Sequence, residues 1–266
     1  MREFPLRGRA ALVTGVSRRA GIAFAVAERL ASLGADVLAQ SWEAHDAEQP
    51  WGADPHGVIY VIEELRRGLP SGAGRIEHVE ADFAEPGAPA AVVDATVAAF
   101  GAIDVVVAAH ARSSGQSLAE LTAAELDLTH AVNVRGSMLL AQRYDAVRDH
   151  DRPGGRIVLF TSGQHSGAMP GELPYVASKG ALHQVTKSLA GALAAKGVTV
   201  NCVDPGPVDT GYADHALREH VARRMPMGRW GRPEDTADLI EWLSSDGSAW
   251  MTGQTLVSDG GWSLRI

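Results

Sequence analysis

The chain of 266 residues contains one cysteine, Cys202. A single thiol excludes an internal disulfide and predicts a reducing compartment, with Cys202 a small buried residue without redox duty. No apolar run approaches the roughly 18 residues that a bilayer span requires, so no membrane partner is expected. The opening Met1-Arg2-Glu3-Phe4-Pro5-Leu6-Arg7-Gly8-Arg9 has no apolar stretch of signal-peptide length, which predicts a cytoplasmic protein. Positive charge is scarce as well. Lys and Arg number 24 against 32 Asp and Glu, and the formal charge of −8 argues against a nucleic-acid or anionic-lipid surface. His45, Asp46, Glu48, Asp54 and His56 lie close in sequence but lack metal-ligand spacing. No metal is expected there, and a solvated acidic loop is.

What is present fits one large α/β domain over residues 1–266, with 45% apolar and 21% charged residues, ordinary for a globular chain. Short β-branched runs predict strands at Ala10–Thr14, Asp36–Gln40, Arg75–Val79, Ile103–Ala108, Arg156–Thr161, Thr199–Val203 and Thr255–Val257. Helical patterns alternate with them, the signature of βαβ units and a parallel sheet. Ile22, Val26, Leu30 and Leu33 make one apolar stripe. Two long Ala/Leu-rich helices are expected around Leu118–Val147 and Tyr175–Lys196. The connection from Ser41 to His56 exceeds the usual two to six residues, which marks it as functional or loosely ordered.

A glycine turn, Thr14-Gly15-Val16-Ser17-Arg18-Arg19-Ala20-Gly21-Ile22-Ala23, joins the first strand to the first helix. Such a turn lets backbone amides and a helix N-terminus approach a pyrophosphate, although the G-x-G-x-x-G spacing is absent. The second strand ends in Ala39-Gln40-Ser41-Trp42, with no acid until Glu43 to take the ribose hydroxyls of NAD. Arg18 and Arg19 are either solvated or available to a 2′-phosphate. With the missing acid, this favours NADP(H) over NAD(H).

Tyr175 and Lys179 are four apart, on one face of a helix, and Ser162 lies thirteen residues upstream of Tyr175. A phenol beside an ammonium is expected to have its pKa lowered toward working pH and to serve in proton transfer.

Taken in order, these pieces resemble the short-chain dehydrogenase/reductase family over essentially the whole chain. They include the Thr14-Gly15 turn, Asp82-Phe83, Asn133-Val134-Arg135-Gly136, Ser162, Tyr175 with Lys179, and Asn201-Cys202-Val203-Asp204-Pro205-Gly206. The tail adds Pro226-Met227-Gly228-Arg229, Gly231-Arg232-Pro233-Glu234-Asp235, Thr252-Gly253-Gln254 and Asp259-Gly260-Gly261, and looks most like the 3-oxoacyl-[acyl-carrier-protein] reductase-like branch. The resemblance implies a Rossmann-type, doubly wound, seven-stranded parallel sheet flanked by helices. It implies NADP-dependent interconversion of a ketone, such as a 3-oxoacyl thioester or other small carbonyl compound, and a secondary alcohol.

By that resemblance Tyr175 is the general acid or base, and Lys179 lowers its pKa and holds the nicotinamide ribose. Ser162 holds the substrate oxygen, and Asn133 anchors a water. Cofactor contacts fall to Gly15, Ser17, Arg18, Arg19, Gly21, Ile22, Ser41, Asp82, Phe83, Ala109, His110, Pro205, Gly206, Val208 and Thr210, besides Tyr175 and Lys179. Other readings stay open: Asn133 as a satisfied core amide, Asp82 as a helix N-cap, and His110 as a packed structural histidine. Gln164, His165 and Met169 are expected to wall the substrate pocket opposite a Gly211–Trp230 lid. A homotetramer is implied.

Three departures stand out. The glycine turn is two residues longer than the family's Thr-Gly-x-x-x-Gly-x-Gly, and Ala23 replaces its last glycine. Enoyl reductases of the superfamily also lengthen this loop, but they place six residues between tyrosine and lysine where this chain has three, which favours carbonyl over C=C chemistry. Ala108-Ala109-His110-Ala111 replaces Asn-Asn-Ala-Gly, and the Ser41–His56 segment flanks the adenosine end. An enoyl-thioester reductase, a catalytically silent NADP(H)-binding protein and a purely structural assembly unit remain as alternatives.

Overall fold

Seven strands pair in parallel, and the five inner ones are buried on both faces, as a sheet covered by helices requires. The computed structural model describes residues 4–264. Its strands are β1 (Ala10–Thr14), β2 (Asp36–Ser41), β3 (Ile76–Glu80), β4 (Val105–Ala108), β5 (Gly155–Phe160), β6 (Val198–Asp204) and β7 (Thr255–Val257). Their order across the sheet is β3-β2-β1-β4-β5-β6-β7. The helices are α1 (Ile22–Ser32), α2 (Glu43–Glu48), α3 (Gly57–Arg67), α4 (Ala88–Phe100), α5 (Ala123–His130), α6 (Gly136–Val147), α7 (Leu173–Leu193), α8 (His215–Arg224) and α9 (Pro233–Ser244).

This is the expected Rossmann-type doubly wound fold, and every expected strand agrees with an observed one to within two residues. Strand residues alternate between two cores. Val13, Val37, Val107, Val158 and Val203 meet Val26, Leu30, Ile62 and Ile240 on one face. Leu12, Leu38, Val106, Leu159 and Cys202 meet Leu140, Tyr144 and Leu182 on the other. Cys202 is fully buried, as anticipated.

Two expectations need correction. Leu118 lies outside any helix and is 78% exposed. Helix α5 starts only after Thr122, whose hydroxyl caps it by accepting from the Glu125 amide at 3.2 Å. The long helix is also not uniform, because a π-helical turn at Ala131–Arg135 separates α5 from α6. The Ser41–His56 connection is ordered and contains α2. Among the described residues no helix is long and apolar enough to cross a membrane.

The sheet order reverses between β1 and β4. At that switch point a crevice opens above the carboxyl ends of the strands, where open α/β sheets bind ligands.

Candidate active site

A cavity of about 1070 Å³ opens in this crevice. Three of the four expected catalytic residues, Ser162, Tyr175 and Lys179, line it. Ser162 follows β5, while Tyr175 and Lys179 project from the first turns of α7, a helix whose start tolerates Pro174 because first-turn amides have no intrahelical partner. Lys179 is 2% exposed; its Nζ donates to the Phe160 carbonyl at 3.1 Å and lies 5.5 Å from the centre of the Tyr175 ring. Burial pushes the lysine down to about 8.

Tyr175 behaves contrary to the expectation from its spacing. Withdrawal from water raises its pKa, the Ser162 hydroxyl pulls the other way, and the negative potential of Glu172 adds to the rise. A buried ammonium that is already committed to a backbone carbonyl does not outweigh the loss of solvent around the phenol.

Asn133 sits in the π-helical turn, fully buried and outside the cavity lining. Its Oδ1 accepts from the Arg112 amide at 2.6 Å, and its Nδ2 donates to the Arg112 carbonyl at 3.0 Å and to Ser178 Oγ at 2.9 Å. The side chain therefore clips the segment after β4 to α7, one residue from Lys179. That is the satisfied core amide of the open alternative.

The cradle for a dinucleotide is present. Gly15 has φ +86°, and a Cβ there would lie 2.9 Å from the His110 Cα, so only glycine lets β1 turn this close to β4. Its amide donates to the carbonyl and side-chain oxygen of Gln40. Gly21 caps α1 without a side chain, leaving the first-turn amides of that helix facing the crevice. Gly15, Ser17, Arg18, Gly21, Ile22, Asp82, Phe83, Ala109, His110, Pro205, Gly206, Val208 and Thr210 all line the cavity.

Several of these residues have settled local duties. His110 bridges strand and turn: its Nδ1 is 2.7 Å from Thr14 Oγ1 and its Nε2 is 3.1 Å from the Val132 carbonyl. Donation by Nε2 to Val132 leaves Nδ1 to accept from Thr14, a neutral imidazole. Burial, with Lys179 nearby, holds its pKa at about 3. Asp82 accepts from the Ala84 amide at 2.8 Å in a tight turn, while α4 begins later, behind Gly87, so Asp82 is not its N-cap.

Arg19 and Ser41 do not line the cavity. Ser41 is buried and bonds His78 Nε2 at 2.8 Å. Arg19 faces outward and grips Asp54 with Nε and NH2, both at 2.9 Å. Arg18 does line the cavity, but it pairs with Asp46 at 3.0 Å and donates to the Thr210 carbonyl at 3.0 Å. Neither arginine is a solvated loop residue, and neither is uncommitted. The acidic loop is likewise not simply solvated, since Asp54 is 8% exposed and is satisfied by Arg19 and the His56 amide.

The 43–54 segment thus forms a strap pinned along its length. His45 Nε2 accepts from the Ser113 amide at 3.1 Å, Asp46 holds Arg18, and Asp54 holds Arg19. Trp51 reaches the far side, its ring 6.3 Å from that of Tyr212 in an edge-on contact. On the substrate side Met169, Glu172, Tyr212 and Leu217 line the cavity. Gln164 and His165 do not; Gln164 is tied to Thr161 and Ser162, and His165 faces Asp204. Of the residues expected in the lid, His215, His220, Arg223 and Arg224 also stay outside the lining.

A family model described as enoyl-(acyl carrier protein) reductase matches residues 15–263. The chain belongs to the short-chain dehydrogenase/reductase family. An NADPH-dependent aldehyde reductase-like chloroplastic protein from Arabidopsis thaliana is 36% identical, covering 97% of this chain and 95% of its own. Cyclohexanol dehydrogenase from Rhodococcus sp. is 34% identical, covering 97% of each. Among solved structures, the angucycline C-6 ketoreductase LanV with bound NADP superposes with a TM-score of 0.83 at 29% identity, covering 98% of this chain and 97% of that one. As a short-chain dehydrogenase/reductase, the protein is an oxidoreductase of carbonyl and alcohol substrates that uses a nicotinamide cofactor.

The sequence reading missed the strap's share of the site, namely His45, Asp46 and Trp51, together with Gln40 and Trp42. The one available signal was the excess length of the connection after β2. Nothing in the local pattern tells where a pinned loop will end.

Proposed function

We propose that this short-chain dehydrogenase/reductase interconverts a ketone, of the 3-oxoacyl thioester or a related class, with a secondary alcohol, using NADP(H). The observation that carries this reading is the convergence of Ser162, Tyr175 and Lys179 on one cavity beside the Gly15 turn. When bound, the nicotinamide supplies or accepts the hydride. Tyr175 holds the proton that the carbonyl oxygen requires, and its raised pKa keeps that proton on the phenol in the resting state. Ser162 orients the same oxygen. Lys179, poised at about 8, stabilises the phenolate once the proton has left. Asn133 keeps α7 and the segment after β4 in register around these groups.

The fit to a dinucleotide rests on the Gly15 close approach and the uncapped N-terminus of α1. For the phosphate-bearing cofactor, Arg18 is the arginine of the glycine turn that lines the cavity, and it would be shared between Asp46 and the ligand. The tyrosine-to-lysine spacing of three intervening residues supports carbonyl rather than C=C reduction. A homotetramer is part of the proposal, supported by Trp250 at 100% exposure and Leu264 at 78%, apolar surface of the kind that subunit contacts cover. Light scattering tests it.

The functional test is oxidation of NADPH and of NADH by the protein with a panel of ketones, acetoacetyl thioesters and one enoyl thioester. Ketone-dependent oxidation of NADPH that is lost in Tyr175→Phe is expected. Consumption only with the enoyl thioester, or a preference for NADH, would overturn the corresponding part.

A further inference from the structure

Two departures from the family pattern, the two extra residues of the glycine turn and the long connection after β2, are one structural unit. The lengthened turn contains Arg19, which Asp54 at the strap's end binds through both its side chain and its backbone amide. Next to it, Arg18 binds Asp46 in the middle of the strap. Asp46 Oδ1 also accepts from the Trp51 indole N–H at 3.2 Å, so one carboxylate fixes both the arginine and the direction of the tryptophan ring. With its N–H turned inward, Trp51 presents its ring edge-on to Tyr212, which in turn packs edge-on to Trp230 at 5.9 Å. A segment rooted at the adenosine end thereby supplies an aromatic wall beside the carbonyl site.

Charge in the cavity points the same way. Arg18 is neutralised by Asp46, and Arg112 by Glu125 at 2.8 Å, with Glu48 at 3.8 Å. Lys179 is buried behind Tyr175 on a backbone carbonyl. Glu172, three residues before Tyr175, lines the cavity, and among the described residues its carboxylate has no hydrogen-bond or ion-pair partner. Tyr212 and Leu217 remain 41% and 40% exposed at the rim, apolar surface of the kind that a ligand covers.

We propose that Trp51 is a substrate-selecting residue and that, with Tyr212, it receives the ring of an uncharged cyclic ketone in preference to an anionic, carrier- or coenzyme-linked 3-oxoacyl chain. This rests on the carbonyl reading above and narrows its substrate class. Aromatic walls favour flat rings through burial and edge-to-face contact, and the Glu172 carboxylate in a lining whose Arg18, Arg112 and Lys179 are already engaged disfavours a polyanion.

The experiment compares 1-tetralone, 2-octanone and acetoacetyl-CoA as substrates for the wild type, Trp51→Ala, Trp51→Phe and Asp54→Asn. For 1-tetralone, Trp51→Ala is expected to raise KM about tenfold with kcat within about twofold, and Trp51→Phe to restore most of it. Asp54→Asn, remote from the ring, should raise the same KM by loosening the strap. The affinity for NADPH, read by fluorescence titration, should change less in Trp51→Ala than the KM for 1-tetralone does, although the ring also lies 5.7 Å from the Arg18 guanidinium. Calorimetric titration of 1-tetralone into the protein decides the question even if no ketone turns over: weaker binding in Trp51→Ala supports the proposal, and equal binding overturns it. A wild-type preference for acetoacetyl-CoA over 1-tetralone would also overturn it while leaving the carbonyl-reductase reading intact. NADPH binding with no turnover of any ketone would defeat that reading and leave the calorimetric result standing.

Discussion

The two ends of the crevice are built by opposite means. At the catalytic end, Tyr175 and Lys179 share one helix, so local geometry brings them together, and Ser162 follows β5 beside them. At the adenosine end, the glycine turn is completed by Asp46 and Asp54, partners 28 and 35 residues away from Arg18 and Arg19. The first end holds a buried Lys179 behind a half-buried Tyr175; the second is a ladder of paired charges. Chemistry needs groups whose pKa is displaced by burial, whereas holding a strap in place needs only complementary charge.

The sharpest way to break this comparison is at the phenol. Tyr175→Phe should lower kcat by about 10²–10⁴-fold with cofactor affinity retained, as seen by single-turnover assay and NADPH titration. Activity that survives would remove the catalytic end from the argument.

Acid should next expose the burial of His110. An unfolded histidine titrates near 6.5, while the folded His110 titrates at about 3. As the pH falls between these values, the unfolded chain takes a proton that the folded one refuses. Stability should therefore be full above 6.5 and decline by on the order of 5 kcal/mol toward pH 3. Urea midpoints for His110→Gln should show a flatter acid limb than the wild type; parallel limbs would contradict a buried neutral imidazole.

Lys179→Met should separate stability from activity. The folded lysine titrates at about 8, against about 10.4 when unfolded. Between those values the unfolded chain holds more protons, so wild-type stability rises with pH from about 8 to 10.4. Below pH 8 the folded state carries the whole cost, on the order of 3 kcal/mol. The variant should melt a few degrees higher than the wild type at pH 7, lose that advantage near pH 10, and have little activity at either. A lower melting temperature at pH 7 would mean that the bond to the Phe160 carbonyl outweighs desolvation.

The smallest effect belongs to the strap. Asp54→Asn should lower the melting temperature slightly and increase proteolysis within residues 43–54, leaving kcat for a small open-chain ketone nearly unchanged. A large loss of kcat would show that the two ends are coupled more tightly than their contacts indicate.

Regular alternation made the sheet legible: Val and Ile runs such as Val105-Val106-Val107 satisfy a strand buried on both faces and little else. The pair Tyr175 and Lys179 was legible because helix spacing converts residue number directly into proximity, whereas Ser162 joined it through the family resemblance. The pKa of Tyr175 was not, since spacing states that an amine is near but not that it is desolvated and already bonded elsewhere. His110 shows the same limit: only the fold reveals that Thr14 and Val132 take both of its ring nitrogens.

Sequence alone determined the βαβ order, the glycine turn and the pair Tyr175 and Lys179, because each is encoded in contacts between near neighbours or in a repeating period. Tertiary structure decided that Arg18 and Arg19 serve a strap, that Ser41 turns away from the crevice, and that Trp51 stands at the substrate side. Those outcomes depend on which distant carboxylate reaches a guanidinium first in three dimensions, and no local pattern carries that information.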